Sequence, residues 1–210
     1  MDNSLSCQNL APFAKMAFGA TGALVEGVPL ICGGGYYPSG SYYDECYQIT
    51  KLMTSLVTNM KSKRRYAASV VLDNNKLWVM GGHDGSTYLS STEYVQIGAG
   101  STSGPDLPLA VYSHAIVAWN SSYFMLIGGT YNYNELAKTF YYHGVKQEWT
   151  SGPELIQARI EHAAGLGMDT ATTLHYIAVT GGHYYDYGDI FLDSVEILYS
   201  GETEWQAGKE

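Results

Sequence analysis

KLWVMGG, residues 76–82, decides the fold. It is a short apolar run that stops at two glycines, too brief for a helix and closed by residues that favour a turn. The same punctuation occurs four times. VPLICGG ends at Gly33 and Gly34, KLWVMGG at Gly81 and Gly82, YFMLIGG at Gly128 and Gly129, and HYIAVTGG at Gly181 and Gly182. The first glycines of successive pairs are 48, 47 and 53 residues apart, a spacing that marks a repeat architecture.

Each pair follows a tract of small and apolar residues (MAFGATGALV, RRYAASVVL, YSHAIVAW, IEHAAGLGM). Each is followed, after a loop, by an alternating segment (ECYQI, TEYVQI, KTFYYH, SVEILY). A fourth strand is clearest late in the chain, where Glu148-Trp149 and SGPEL are matched by SGPDL at 103–107 and by Glu204-Trp205. Four strands per period is the simplest parse. The repeats run over about 13–61, 62–108, 109–156 and 157–210, with 1–12 left as a stray outer strand.

These residues resemble the kelch motif: the twin glycines after strand b, the aromatic of strand c and the Trp of strand d, here Trp149 and Trp205. The resemblance implies an all-β, kelch-type propeller of four-stranded antiparallel blades in one domain, 1–210. Ser101 stands where the second repeat would carry Trp, and the first repeat has none, so those blades are expected to be held less firmly at the rim. Kelch-like propellers generally close with more than four blades. The chain is therefore expected to form an incomplete ring or to be a fragment, with two open blade flanks prone to self-association.

Composition agrees with many short strands and tight turns. There are 24 Gly and 19 Tyr, with only 15% charged residues. Twenty acidic residues against 11 basic give a net charge of -9, which disfavours nucleic acid and anionic membrane surfaces. No apolar run reaches the about 20 residues of a membrane helix, and the start lacks the pattern of a signal peptide. One local pattern dissents: Leu52, Met53, Leu56, Val57 and Met60 have helical spacing. The repeat overrides it, and the segment is expected to be extended.

Strand a must be narrow where blades converge, and Gly19, Ala20, Ala67, Ala68, Ala115, Ala163 and Ala164 make it so. Arg64 and Arg159 open strand a in repeats two and four, and strand c of the same repeats carries Glu93 and Glu196. With the repeats aligned by their small-residue tracts, Cys46 and Thr139 fill the Glu position in repeats one and three. A buried charge is tolerable only when paired, so Arg64–Glu93 and Arg159–Glu196 contacts are expected.

Of Cys7, Cys32 and Cys46, the last two lie on adjoining strands of one blade. They form either a disulfide or two buried thiols. Asn120-Ser121-Ser122 is a glycosylation sequon in an a–b turn. An oxidised Cys pair would place the protein outside the cell, and a reduced one in the cytoplasm.

The b–c loops share a face with the d–a connections, which makes that face the candidate binding surface. They hold Tyr36, Tyr37, Tyr42, Tyr43, Tyr88, Tyr131, Tyr133, Tyr184, Tyr185 and Tyr187, joined by His83, Asp84, Asn132, His183 and Asp186. Tyr gives a broad contact with a polar tip at low entropic cost, which suits a protein partner or a glycan. The competing role for each ring is packing between blades.

His114 and His162 occupy equivalent strand-a positions. With the tyrosines they resemble the copper site of galactose oxidase, a kelch-like enzyme, but no Cys is placed for a crosslinked Tyr, and packing is the expected role. Asp186 and Asp189 are too few to hold calcium. No catalytic or nucleotide motif stands out, and no cofactor is expected. The reading is a non-enzymatic interaction module. The alternatives are a metal-dependent oxidase or carbohydrate-active protein, and the recognition part of a ubiquitin-ligase adaptor.

Overall fold

The computed structural model of the chain describes residue 13 and residues 15–51, 53–72 and 75–208. Blade 1 is built from β1 (Thr21–Val25) and β2 (Val28–Cys32), a lip of β3 (Gly35–Tyr36) and β4 (Ser41–Tyr42), then β5 (Glu45–Ile49) and β6 (Thr54–Asn59). Blade 2 has no lip: β7 (Ala68–Leu72), β8 (Lys76–Met80), β9 (Thr92–Gln96) and β10 (Gly100–Ser103). Blade 3 comprises β11 (Ala115–Asn120), β12 (Tyr123–Ile127), the lip β13 (Thr130–Tyr131) with β14 (Asn134–Glu135), β15 (Thr139–His143) and β16 (Glu148–Ser151). Blade 4 comprises β17 (Ala163–Met168), β18 (His175–Thr180), the lip β19 (His183–Tyr185) with β20 (Asp189–Phe191), β21 (Val195–Tyr199) and β22 (Gln206–Ala207).

Every blade is an antiparallel meander, and the four are arranged as a β-propeller. The segment with helical spacing is extended: β6 occupies it, and Met53 and Leu56 face solvent. Leu52, Cys7 and the expected outer strand at 1–12 lie outside the described residues. Those residues contain one 3-10 turn, Tyr37–Ser39, and no helix long and apolar enough to cross a membrane.

The inner strands adjoin in chain order, β1 against β7, β7 against β11 and β11 against β17. Three apolar clusters fill the gaps. Leu30, Val25 and Met60 meet Leu77 and Val79 between blades 1 and 2. Trp78 and Met80 meet Phe124 and Leu126 between blades 2 and 3. Met125 and Ile127 meet Ile177 and Val179 between blades 3 and 4. Burying each such side chain is worth roughly 2 kcal/mol, so these clusters are the principal glue.

A backbone register repeats at each junction. The second glycine donates its N–H to the residue opening the next blade: Gly34 to Arg64 O (2.7 Å), Gly82 to Val111 O (2.8 Å) and Gly129 to Arg159 O (3.0 Å). At Gly82, φ is +95° and a Cβ would stand 2.9 Å from Arg65 O, so the position needs glycine on both counts. Two residues into each blade, Gly19, Tyr66, Ser113 and Glu161 all adopt positive φ. They join in a relay, Tyr66 N–H to Gly19 O, Ser113 N–H to Tyr66 O and Glu161 N–H to Ser113 O. The relay does not return: among the described residues no backbone bond joins Glu161 to Gly19. Leu166 and Met168 on blade 4 and Leu24 on blade 1 are correspondingly exposed.

Blades 2 and 4 are fastened at their entry by ion pairs. Arg64 Nη2 lies 2.9 Å from Glu93 Oε1, and Arg159 Nη2 lies 2.6 Å from Glu196 Oε1, all four side chains being almost fully buried. Each carboxylate also accepts two backbone N–H groups from the incoming connection, Lys61 and Ser62 for Glu93, Ile156 and Gln157 for Glu196. Burial works against the Glu93 charge, but hydrogen bonds from Ser101, Lys61 N–H and Arg64 outweigh it and hold the carboxyl below its usual range.

The strand register places different residues at the Glu position in blades 1 and 3. Met80 pairs with Thr92, Ile127 with Thr139 and Cys32 with Cys46, so Thr139 and Cys46 match Thr92. Phe140 and Tyr47 are the residues standing in the Glu93 position. In blade 3 the whole device is exchanged: Val111 replaces Arg, Phe140 replaces Glu, and Pro108 removes the N–H that Lys61 and Ile156 donate. In blade 1, Cys32 and Cys46 form a buried disulfide directly across β2 and β5, Cα atoms 4.1 Å apart.

Candidate functional site

Strand a begins just after a residue at positive φ, which turns the side chain before it onto the face that bears the b–c loops. Arg65 and His83 exchange backbone N–H···O bonds (2.9 Å each way), as do Tyr112 with Thr130 and Ile160 with His183. Each blade entry is thereby stitched to the loop after a twin glycine. The two sets of residues together wall a cavity of about 460 Å³, lined by Tyr42, Arg65, Tyr66, His83, Tyr88, Tyr112, Tyr133, Ile160 and Glu161.

The walls are aromatic and in mutual contact. Ring centroids are 4.9 Å apart for Tyr88–Tyr112, 5.6 Å for Tyr88–Tyr133, 5.3 Å for His83–Tyr88 and 5.5 Å for Tyr42–His83. Such tilted and edge-on pairs hold one another's rotamers and leave the phenol oxygens at the cavity surface. The Arg65 guanidinium lies over two rings, 4.6 Å from the Tyr42 centroid and 4.9 Å from that of Tyr66.

Burial, with the phenols of Tyr133 and Tyr112 close by, pushes Tyr88 up to about 12, so it stays a neutral donor. Burial also lowers His83, with Asp84 opposing and Arg65 reinforcing. The cavity therefore presents five phenols, that of Tyr88 held neutral, an imidazole of lowered basicity, one guanidinium and one carboxylate.

Of the residues expected on this face, Tyr42, His83, Tyr88 and Tyr133 meet here. Tyr43 and Asp84 line a neighbouring polar cleft with Tyr42, Glu45 and Lys63. Tyr36 and Tyr37 sit at the blade 1 lip. Tyr131 and Asn132 are exposed on the blade 3 lip, and Tyr184, Tyr185, Asp186 and Tyr187 extend along the blade 4 lip away from the cavity. His183 packs against Phe191 (5.4 Å) and lies 3.9 Å from Asp189.

Sequence reasoning missed Arg65, Tyr66, Tyr112, Ile160 and Glu161. The available signal was their place in the repeat, at the head of the small-residue tract, where residue types vary from blade to blade. His114 and His162 face the glycines of the preceding blades; the His114 ring nitrogens are buried without partners, and the His162 ring lies by the main chain of Ile127 and Arg159. Burial lowers His114 to about 3. Burial, then the Arg159 charge, lowers His162 to about 4. Among the described residues no three His, Cys, Asp or Glu side chains are grouped to hold a metal ion.

Asn120 is exposed at the β11–β12 turn, its Oδ1 accepting from Ser122 and Tyr123 N–H, at the blade end opposite the cavity. Residues 64–96, from the entry of blade 2 to the end of β9, match the kelch motif. No curated protein matches the chain.

Proposed function

We propose that this chain is a non-catalytic recognition module that holds a protein partner in the tyrosine basin. The kelch propeller is in general an interaction fold. The observation that carries the reading is the convergence of five tyrosines from three blades on one preorganised cavity. Rings already packed on one another lose little conformational entropy when a partner covers them. Tyr133, 85% exposed yet in contact with Tyr88, is the outermost contact. Tyr133→Ala should weaken capture of the partner from native extract about tenfold or more, with an unchanged β-sheet circular dichroism spectrum. Tyr185→Ala, on the lip away from the basin, should leave capture intact, and the opposite ranking refutes the basin.

A second element of the reading is self-association. The relay ends at Glu161 and begins at Gly19, and Gly181 meets only Leu192 O of its own blade where Gly33, Gly81 and Gly128 meet the next blade. Blade 4 of one copy and blade 1 of another thus offer the two halves of a junction that occurs three times within the chain. Sedimentation should show concentration-dependent association that Leu24→Glu abolishes. A strictly monomeric wild type contradicts it.

A further inference from the structure

Arg65 differs from every other buried or half-buried arginine of the fold. Arg64 and Arg159 spend their donors on Glu93 and Glu196 and on main-chain carbonyls. Arg65 is equally fixed: its main chain is paired with His83, its stem packs on Gly19 and Gly35, and its guanidinium lies over Tyr42 and Tyr66. Yet among the described residues it has no carboxylate within ion-pair reach, which is what sets it apart, and its Nε, like that of Arg64, is buried without an acceptor. In a chain with 20 acidic residues against 11 basic, leaving a preorganised guanidinium unpaired inside a cavity is a costly arrangement.

From this we infer that Arg65 is the anchor for a carboxylate of the partner, one borne beside an aromatic ring. Rings on its faces leave the guanidinium to bind through its edge, in its own plane, which matches the paired oxygens of a carboxylate. A flat side chain next to that carboxylate would lie against the Tyr88, Tyr112 and Tyr133 rings. Glu161 lines the same cavity, and the Tyr66 phenol, raised chiefly by burial, feels Arg65 and Glu161 in opposite senses. One cation and one anion lining the same cavity favour a single negative charge over the double charge of a phosphate. It also leaves Glu161 free to accept from the ligand's amide.

The inference rests on the basin being the binding face, and its test separates the two. Acetyl-Tyr-Asp-amide is titrated into the ¹⁵N-labelled chain, following the Arg65 Nε–H resonance, against acetyl-Tyr-Asn-amide and acetyl-phosphotyrosine-amide. The acidic peptide should move that resonance at millimolar concentration, with about tenfold weaker binding of the Asn peptide and weaker binding of the phosphopeptide. Arg65→Gln should erase the preference for Asp over Asn, and Glu161→Gln should improve phosphopeptide binding. Equal binding of Asp and Asn peptides, an unmoved Arg65 resonance, or a preference for phosphate overturns the carboxylate assignment. If Arg65→Gln also leaves partner capture unchanged while Tyr133→Ala abolishes it, the anchor falls and the basin stands; if neither substitution matters, the basin falls.

Discussion

Blades 2 and 4 are fastened at their entry by a buried ion pair, whereas blades 1 and 3 reach the same backbone geometry without one. Blade 3 substitutes Val111, Phe140 and Pro108 for the cation, the anion and one N–H donor, and blade 1 carries a disulfide between β2 and β5 instead. The contrast teaches that the repeat conserves a register of backbone bonds and not a set of side chains. Across blades 2, 3 and 4 the cation, the anion and the first N–H donor of this device come and go together.

The largest effect should come from breaking the device halfway. Glu93→Phe leaves Arg64 and two N–H groups buried and unpaired, and should cost about 4 kcal/mol in urea unfolding. Adding Arg64→Val and Lys61→Pro, which copies blade 3, should recover more than half of that. A triple variant as unstable as the single one would show that the blades are not interchangeable.

Blade 1 offers the next test. Cys32→Ser with Cys46→Ser should cost about 3 kcal/mol, read as a lowered unfolding midpoint, and reduction of the wild type should match it.

A smaller effect separates the blades by pH. His114 and His162 occupy positions that are Ala20 and Ala67 in blades 1 and 2. Both are held neutral, with folded values of about 3 and about 4. The unfolded chain takes up these protons near the ordinary value of about 6.5 and the folded chain does not, so stability is lost as pH falls below that point. Each should cost about 2 kcal/mol at pH 5 relative to neutral pH. Unfolding midpoints of His114→Leu measured at both pH values should show a shallower dependence than wild type, and an unchanged slope would contradict it.

The fold was legible because it is written in local chemistry: twin glycines, small inner strands and an apolar beat repeated four times. The helical spacing at 52–60 misled only if read alone, since the strand partners that override it lie elsewhere in the blade. The Arg–Glu pairing was visible as joint presence, but its register slipped by one residue. Thr139 and Cys46 look like alternatives to Glu93 until the strand pairing places Phe140 and Tyr47 there. The cavity was half visible. Its b–c loop tyrosines stood out by type, whereas Arg65, Tyr112 and Glu161 are brought in by positive-φ turns and cross-blade bonds that no local pattern announces.

The central claim is that the partner sits on the basin to which all four blades contribute. A photo-crosslinking benzoylphenylalanine placed at position 133, on the basin rim, should trap the partner, and the same group at Tyr123, beside the a–b turn at the opposite blade end, should trap none. Crosslinks from position 123 with none from 133 would contradict the account.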